Sequence, residues 1–81
     1  MVTQSRRRRS IVIVSPALAD ANNGNWQTAR RWAGFLAAGH RVAIVREWGG
    51  TPADAMIALN ARRSAPSIAA FAATGRPVAL V

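Results

Sequence analysis

Residues 5–26, SRRRRSIVIVSPALADANNGNW, admit two incompatible readings, and the choice between them decides the fold. Arginines, a short apolar run and the small-residue string at 17–21 have the layout of a secretory signal peptide. The same letters describe a buried strand that feeds an Asn/Gly loop and then a helix, the opening of many phosphate-handling α/β sheets. A signal peptide would be cleaved away, whereas the strand would be the centre of the domain. Two features favour the strand. Ser15 and Pro16 interrupt what would be the apolar region of the signal, and cleavage near Ala19 or Ala21 would remove a segment whose composition recurs downstream.

The recurrences are VAIV at 42–45, AMIAL at 55–59 and VALV at 78–81, beside the first run, IVIV, at 11–14. Short continuous apolar runs rich in β-branched residues, without polar alternation, suit strands covered on both faces, so a parallel sheet is expected. A helix is predicted over 26–38, with Trp26, Ala29, Trp32, Ala33, Leu36 and Ala37 on one face and Gln27, Arg30 and Arg31 on the other. Asn25 is its expected N-cap and Gly39 its left-handed stop. A second helix is predicted over 66–74, opening on Pro66, with Ile68, Phe71 and Ala72 on one stripe, and closing at Gly75 and Pro77.

The order is strand, helix, strand, strand, helix, strand. Only the nine residues 46–54 join the second strand to the third, with no helix among them. Extended, they reach about 30 Å at ~3.3 Å each, and a return along one strand with two lateral steps needs roughly 20 Å. The link can therefore carry the chain past the first strand to its far side. The sheet order is then 2-1-3-4, a Rossmann-like α/β arrangement with a switch point at the carboxyl end of the first strand. Residues 1–10 lack apolar periodicity and read as a disordered basic tail, and 11–81 as the domain.

Composition narrows the function. At 81 residues the chain allows one domain with a small core, and a self-sufficient enzyme is not expected at this length. The absence of cysteine excludes disulfides, thiolate zinc sites and a cysteine nucleophile, and fits a reducing compartment. No apolar run approaches the ~20 residues of a membrane span, so a soluble, cytoplasmic protein with no membrane partner is expected. The net charge of +8 comes from 11 arginines against Asp20, Glu47 and Asp54, which points to an anionic partner. Setting aside Arg6 to Arg9 halves that charge, and small phosphorylated substrates then explain it as well as nucleic acid does.

Three loops would share the carboxyl edge of a parallel sheet, at 15–25, 46–50 and 60–64. The first ends at a helix amino terminus, whose free amides and positive dipole end attract anions. There Asn23, Gly24 and Asn25 combine close backbone approach with amide donors, although such a cluster also reads as an ordinary turn. The third loop sets Asn60, Arg62, Arg63 and Ser64 straight after a buried strand, a candidate clamp for phosphate oxygens. His40 reads as a partner of the preceding helix end or of solvent. Trp48 either stacks on a ligand ring or caps the sheet edge. The acidic residues are too few and scattered for a metal or an acid/base pair. Dinucleotide, P-loop and nucleophile-elbow motifs are absent.

The string SPALADANNGNWQTARRWAGFLAAGHRV at 15–42, followed by REWGG at 46–50 and DAMIALNARRSAPSIAAF at 54–71, resembles the selenosugar synthase family of selenoneine biosynthesis. These are GT-B-type glycosyltransferases, and the resemblance covers 11–81. It implies two facing Rossmann-like halves, the sugar nucleotide lying mainly in the carboxyl-terminal one. The implied reaction joins selenophosphate to a sugar from a UDP-sugar such as UDP-N-acetylglucosamine, with no cofactor or metal. In that scheme this chain supplies the acceptor side, reads as an amino-terminal fragment lacking the carboxyl-terminal half, and is inactive alone. The family pattern has histidine where this chain has Asn60, so no catalytic residue is carried over. The alternatives are a basic module that binds nucleic acid or other anions without catalysis, and an exported protein.

Overall fold

The computed structural model describes residues 9–16 and 24–81. In chain order the elements are β1 (Arg9–Val14), α1 (Gly24–Leu36), β2 (His40–Val45), β3 (Ala55–Ala58), α2 (Ala61–Ala72) and β4 (Val78–Leu80). The strands form one four-stranded sheet of order β2-β1-β3-β4, and every pairing is parallel. The apolar quartet of the opening stretch is the centre of the sheet, as the strand reading requires. Ile13 and Val14 are fully buried.

Register sorts the side chains onto two faces. In one row Ala43, Val12, Met56 and Val78 lie abreast, and in the next Ile44, Ile13, Ile57 and Ala79. From the first row Val12 and Met56 belong to a core with Val14, Ala58 and Phe71, against which Val78 of β4 and Ile68 of α2 pack, while Ala43 at the β2 edge is exposed. Ile13, Leu59 and Ala29 of α1 form the core on the opposite face. The β1-to-β2 and β3-to-β4 crossovers run in opposite lateral directions, so crossovers of one hand place their helices on opposite faces.

Several boundaries differ from the sequence reading. β1 begins at Arg9, inside the expected tail, because the parallel ladder extends to Arg9 opposite His40 and needs no apolar side chains there. Residues 1–8 lie outside the described residues. α1 starts at Gly24, so Asn25 is a helical residue rather than the N-cap, and Asn23 lies outside the described residues. Gly39 is not left-handed; positive φ among the described glycines occurs at Gly50 and Gly75. The helix ends instead in a tight turn, Gly39 N–H to the Leu36 carbonyl at 3.1 Å. His40 Nδ1 donates to that carbonyl at 3.0 Å, the helix-end role expected of it.

Trp32 was expected in the core stripe but is 39% exposed, and Phe35 is 74% exposed. The helix meets the sheet through the small Ala29 and Ala33, which brings the backbone close and leaves Trp32 beyond the contact line. α2 begins at Ala61, five residues before the expected Pro66. Asn60 explains the early start. It sits in the left-handed region at φ 55° and its side chain accepts the Arg63 amide. Pro66 is consequently inside the helix, where it offers no N–H to the Arg62 carbonyl. The other end follows the reading: Gly75, at φ 82°, donates to the Ala72 carbonyl at 3.0 Å before Pro77 and β4.

Residues 46–54 make the crossover from β2 to β3 without a helix. The strap is tied to α2 by the Trp48 amide, which donates to Ser67 Oγ at 2.9 Å. The Trp48 indole meets Phe71 edge to face, centroids 5.0 Å apart and planes at 81°, and its Nε1–H donates to the Thr51 carbonyl at 2.7 Å. Trp48 is thus a packing residue on the α2 side. At the far end the Asp54 carboxylate accepts the Ser10 amide at 2.7 Å and pairs with Arg76 at 3.3 Å, clasping the strap to the start of β1.

Candidate functional site

Because all four strands are parallel, Val14, Val45, Ala58 and Leu80 end on one edge. Ser15 and Pro16 leave β1 there, Arg46 and Glu47 leave β2, and Leu59 and Asn60 lead from β3 into α2. The antiparallel course of each helix brings its amino terminus to the same edge. Between the ends of β1 and β2 and the first turns of α2 lies an open concavity of about 220 Å³, lined by Pro16, Arg46, Glu47, Arg63, Pro66 and Ser67.

The first turn of α2 shapes this concavity. Asn60 Oδ1 accepts the Arg63 amide at 3.4 Å. Ser64 is 2% exposed, and its hydroxyl donates to the Leu59 carbonyl at 2.7 Å. These bonds fix the helix start directly on the strand end. Arg63 and Ser67, four residues apart, then share one helix face, with Pro66 beside them. The amides of Ala61 and Arg62 have no carbonyl within the helix to accept them, so the positive end of the helix dipole is directed at this edge.

The site is cationic and carries a buried donor. Arg46 and Arg63 are exposed, and neither has a carboxylate within ion-pair distance among the described residues. Glu47 lines the same hollow without pairing to either. Ser67 is 5% exposed; its Oγ accepts the Trp48 amide, a bond that does not use its own proton, and the residue lines the concavity. Two guanidinium forks and a hydroxyl, beside one carboxylate, line the hollow near the amino terminus of α2, a donor set suited to a tetrahedral oxyanion.

The structure treats the sequence-derived site residues unequally. Arg63 lines the concavity. Arg62 is exposed in the same first turn but does not line it. Asn60 and Ser64 are engaged in starting the helix. Gly24 and Asn25 are the first two residues of α1, and Asn23 lies outside the described residues. Arg46, Ser67, Pro16 and Pro66 complete the hollow, although the sequence reading did not single them out as ligands. Arg46 was detectable as the first residue after an apolar strand run, at the edge that the parallel sheet shares. Ser67 was not, since its place beside Arg63 depends on the helix starting at Ala61.

Among the described residues no group of three or more His, Asp or Glu side chains could hold a metal ion. No described helix is long and apolar enough to cross a membrane. The chain matches no protein-family model and no curated protein.

Proposed function

We propose that this domain forms the acceptor side of a glycosyltransferase cleft, as a Rossmann-like half of a GT-B-type selenosugar synthase. In this reading a UDP-sugar, held mainly by a carboxyl-terminal half, donates its sugar to selenophosphate. The resemblance of residues 11–81 supports the family, and the carboxyl-edge hollow supports the acceptor assignment. The single observation that carries it is the convergence of Arg46, Arg63 and the Ser67 hydroxyl beside the central strand. A small oxyanion seated there has its phosphate oxygens held by the two guanidinium groups and the hydroxyl proton, while its selenium stays free to face the donor.

The chemistry then requires little of this half beyond positioning. Selenium attacks the anomeric carbon, a C–Se bond forms, the C–O bond to UDP breaks, and UDP leaves with the electron pair; water then cleaves the P–Se bond of the glycosyl selenophosphate, releasing phosphate and the selenosugar. Holding the acceptor in line supplies the orientation component of catalysis. The test is UDP release from UDP-N-acetylglucosamine and selenophosphate by the full-length gene product. Arg46→Gln and Arg63→Gln each remove a charge-assisted contact, for which a loss of about 1.5–3 kcal/mol, roughly 10- to 100-fold in kcat/KM, is expected. No UDP release, or wild-type kinetics in both variants, refutes the assignment.

A further inference from the structure

A second concavity, of about 250 Å³, opens on the α2-side face of the sheet and shares no lining residue with the carboxyl-edge hollow. Its origin is topological. On this face α2 packs over β3 and β4 and reaches β1 through Phe71, while among the described residues the outer part of β1 and β2 is covered by the helix-free strap of residues 46–54. Val12, Ala43 and Val45 line the hollow together with Trp48 and Gly49 of the strap. Ala43 is the smallest residue of its row, abreast of Val12, Met56 and Val78, and Gly49 lines the hollow without a side chain. Space is left where a larger pair would have closed it.

The lining is apolar but one end is charged. The Trp48 indole N–H is already engaged by the Thr51 carbonyl, so the ring offers the cavity only carbon surface. Arg41 lies two residues before Ala43 on the same strand, hence on the same face, and it lines the cavity with Ser10, its partner in register. No carboxylate lines the cavity. Arg41 is exposed and forms no ion pair among the described residues, and the Asp54 carboxylate nearby in the fold is engaged by the Ser10 amide and Arg76. An apolar slot with a single uncompensated guanidinium at its rim complements a molecule with an apolar body and one negative end.

We infer that this cavity binds a small monocarboxylate with an apolar tail, the carboxylate on Arg41 and the tail against Val12, Ala43 and the Trp48 ring. The site is independent of the oxyanion hollow and of the transferase reading. Octanoate and 1-octanol, which share a tail and differ in charge, are the probes, titrated into the full chain and followed by amide shifts in NMR spectra. Octanoate is expected to bind at least tenfold tighter than octanol and to shift Ala43, Gly49 and Gly50. Arg41→Gln is expected to reduce octanoate to the octanol affinity without changing octanol, and Ala43→Leu to weaken both by filling the slot. Equal affinity for the two probes overturns the inference. So does unaltered octanoate binding by Arg41→Gln, a surface change that leaves the core intact, or a set of shifts that maps elsewhere.

Discussion

Replacing Phe71 by alanine removes the side chain on which the α2-side core depends. Phe71 is fully buried, belongs to the cluster with Val12, Val14, Met56 and Ala58, and is the ring that Trp48 meets edge to face at 5.0 Å. Truncation of a buried phenylalanine costs about 3–5 kcal/mol, to which loss of the aromatic pair contributes about 0.5–1.5 kcal/mol. Against this, a chain of this size has a total stability of about 4–12 kcal/mol, at roughly 0.05–0.15 kcal/mol per residue. Phe71→Ala therefore removes between about a quarter and all of it. Urea unfolding followed by far-ultraviolet circular dichroism measures the loss, and Phe71→Leu, which keeps most of the volume, should unfold at an intermediate concentration. A double-mutant cycle with Trp48→Leu isolates the ring pair, with an expected coupling of about 1 kcal/mol. A destabilisation below about 1 kcal/mol for Phe71→Ala would refute the view that this ring joins helix, strap and sheet.

Other substitutions test the start and end of α2. Asn60→Ala loses the side-chain acceptor and places a Cβ-bearing residue without local hydrogen bonding at φ 55°; a loss of about 1–3 kcal/mol in the same urea assay is expected, and Asn60→Gly should cost less. Pro66→Ala restores a donor to the Arg62 carbonyl and should stabilise the chain by about 1 kcal/mol or more, read as a higher unfolding midpoint. Gly75→Ala, forced to φ 82°, should destabilise by about 1–2 kcal/mol. Sulfate or phosphate titrated into the chain should shift the amides of Ala61 to Arg63 in NMR spectra, with the shifts lost in the Arg46→Gln, Arg63→Gln double variant.

The sheet was legible in the sequence because its signal is spread over whole segments. Four apolar runs, a short helix-free link and a central quartet were enough to set the order 2-1-3-4, since a nine-residue link can reach the far side of β1. Helix starts were less legible because they depend on single residues with two possible roles. Pro66 is a favoured first-turn residue, but Asn60 has already started the helix through its left-handed backbone and side-chain acceptor. That shift moved Arg63 and Ser67 onto one face and turned Ser64 inward, changing the composition of the candidate site. Trp32 and Trp48 exchanged roles for a related reason. Periodicity identifies a stripe but not how far it extends, and a tryptophan in a polar loop gives no local sign of the ring waiting on α2.

The strand order β2-β1-β3-β4 makes the domain two β-α-β units back to back, connected covalently by the strap alone. The oxyanion hollow takes Pro16 and Arg46 from the first unit and Arg63 and Ser67 from the second. A backbone cut between Gly49 and Gly50, both exposed, would sever the polypeptide yet spare the β1–β3 ladder, the Trp48–Ser67 bond and the Ser10–Asp54 clasp. Each piece alone would hold half of the hollow proposed to take an oxyanion. Capture of phosphate by such separately made pieces would signal their reunion, making this small domain a natural scaffold for split-protein complementation.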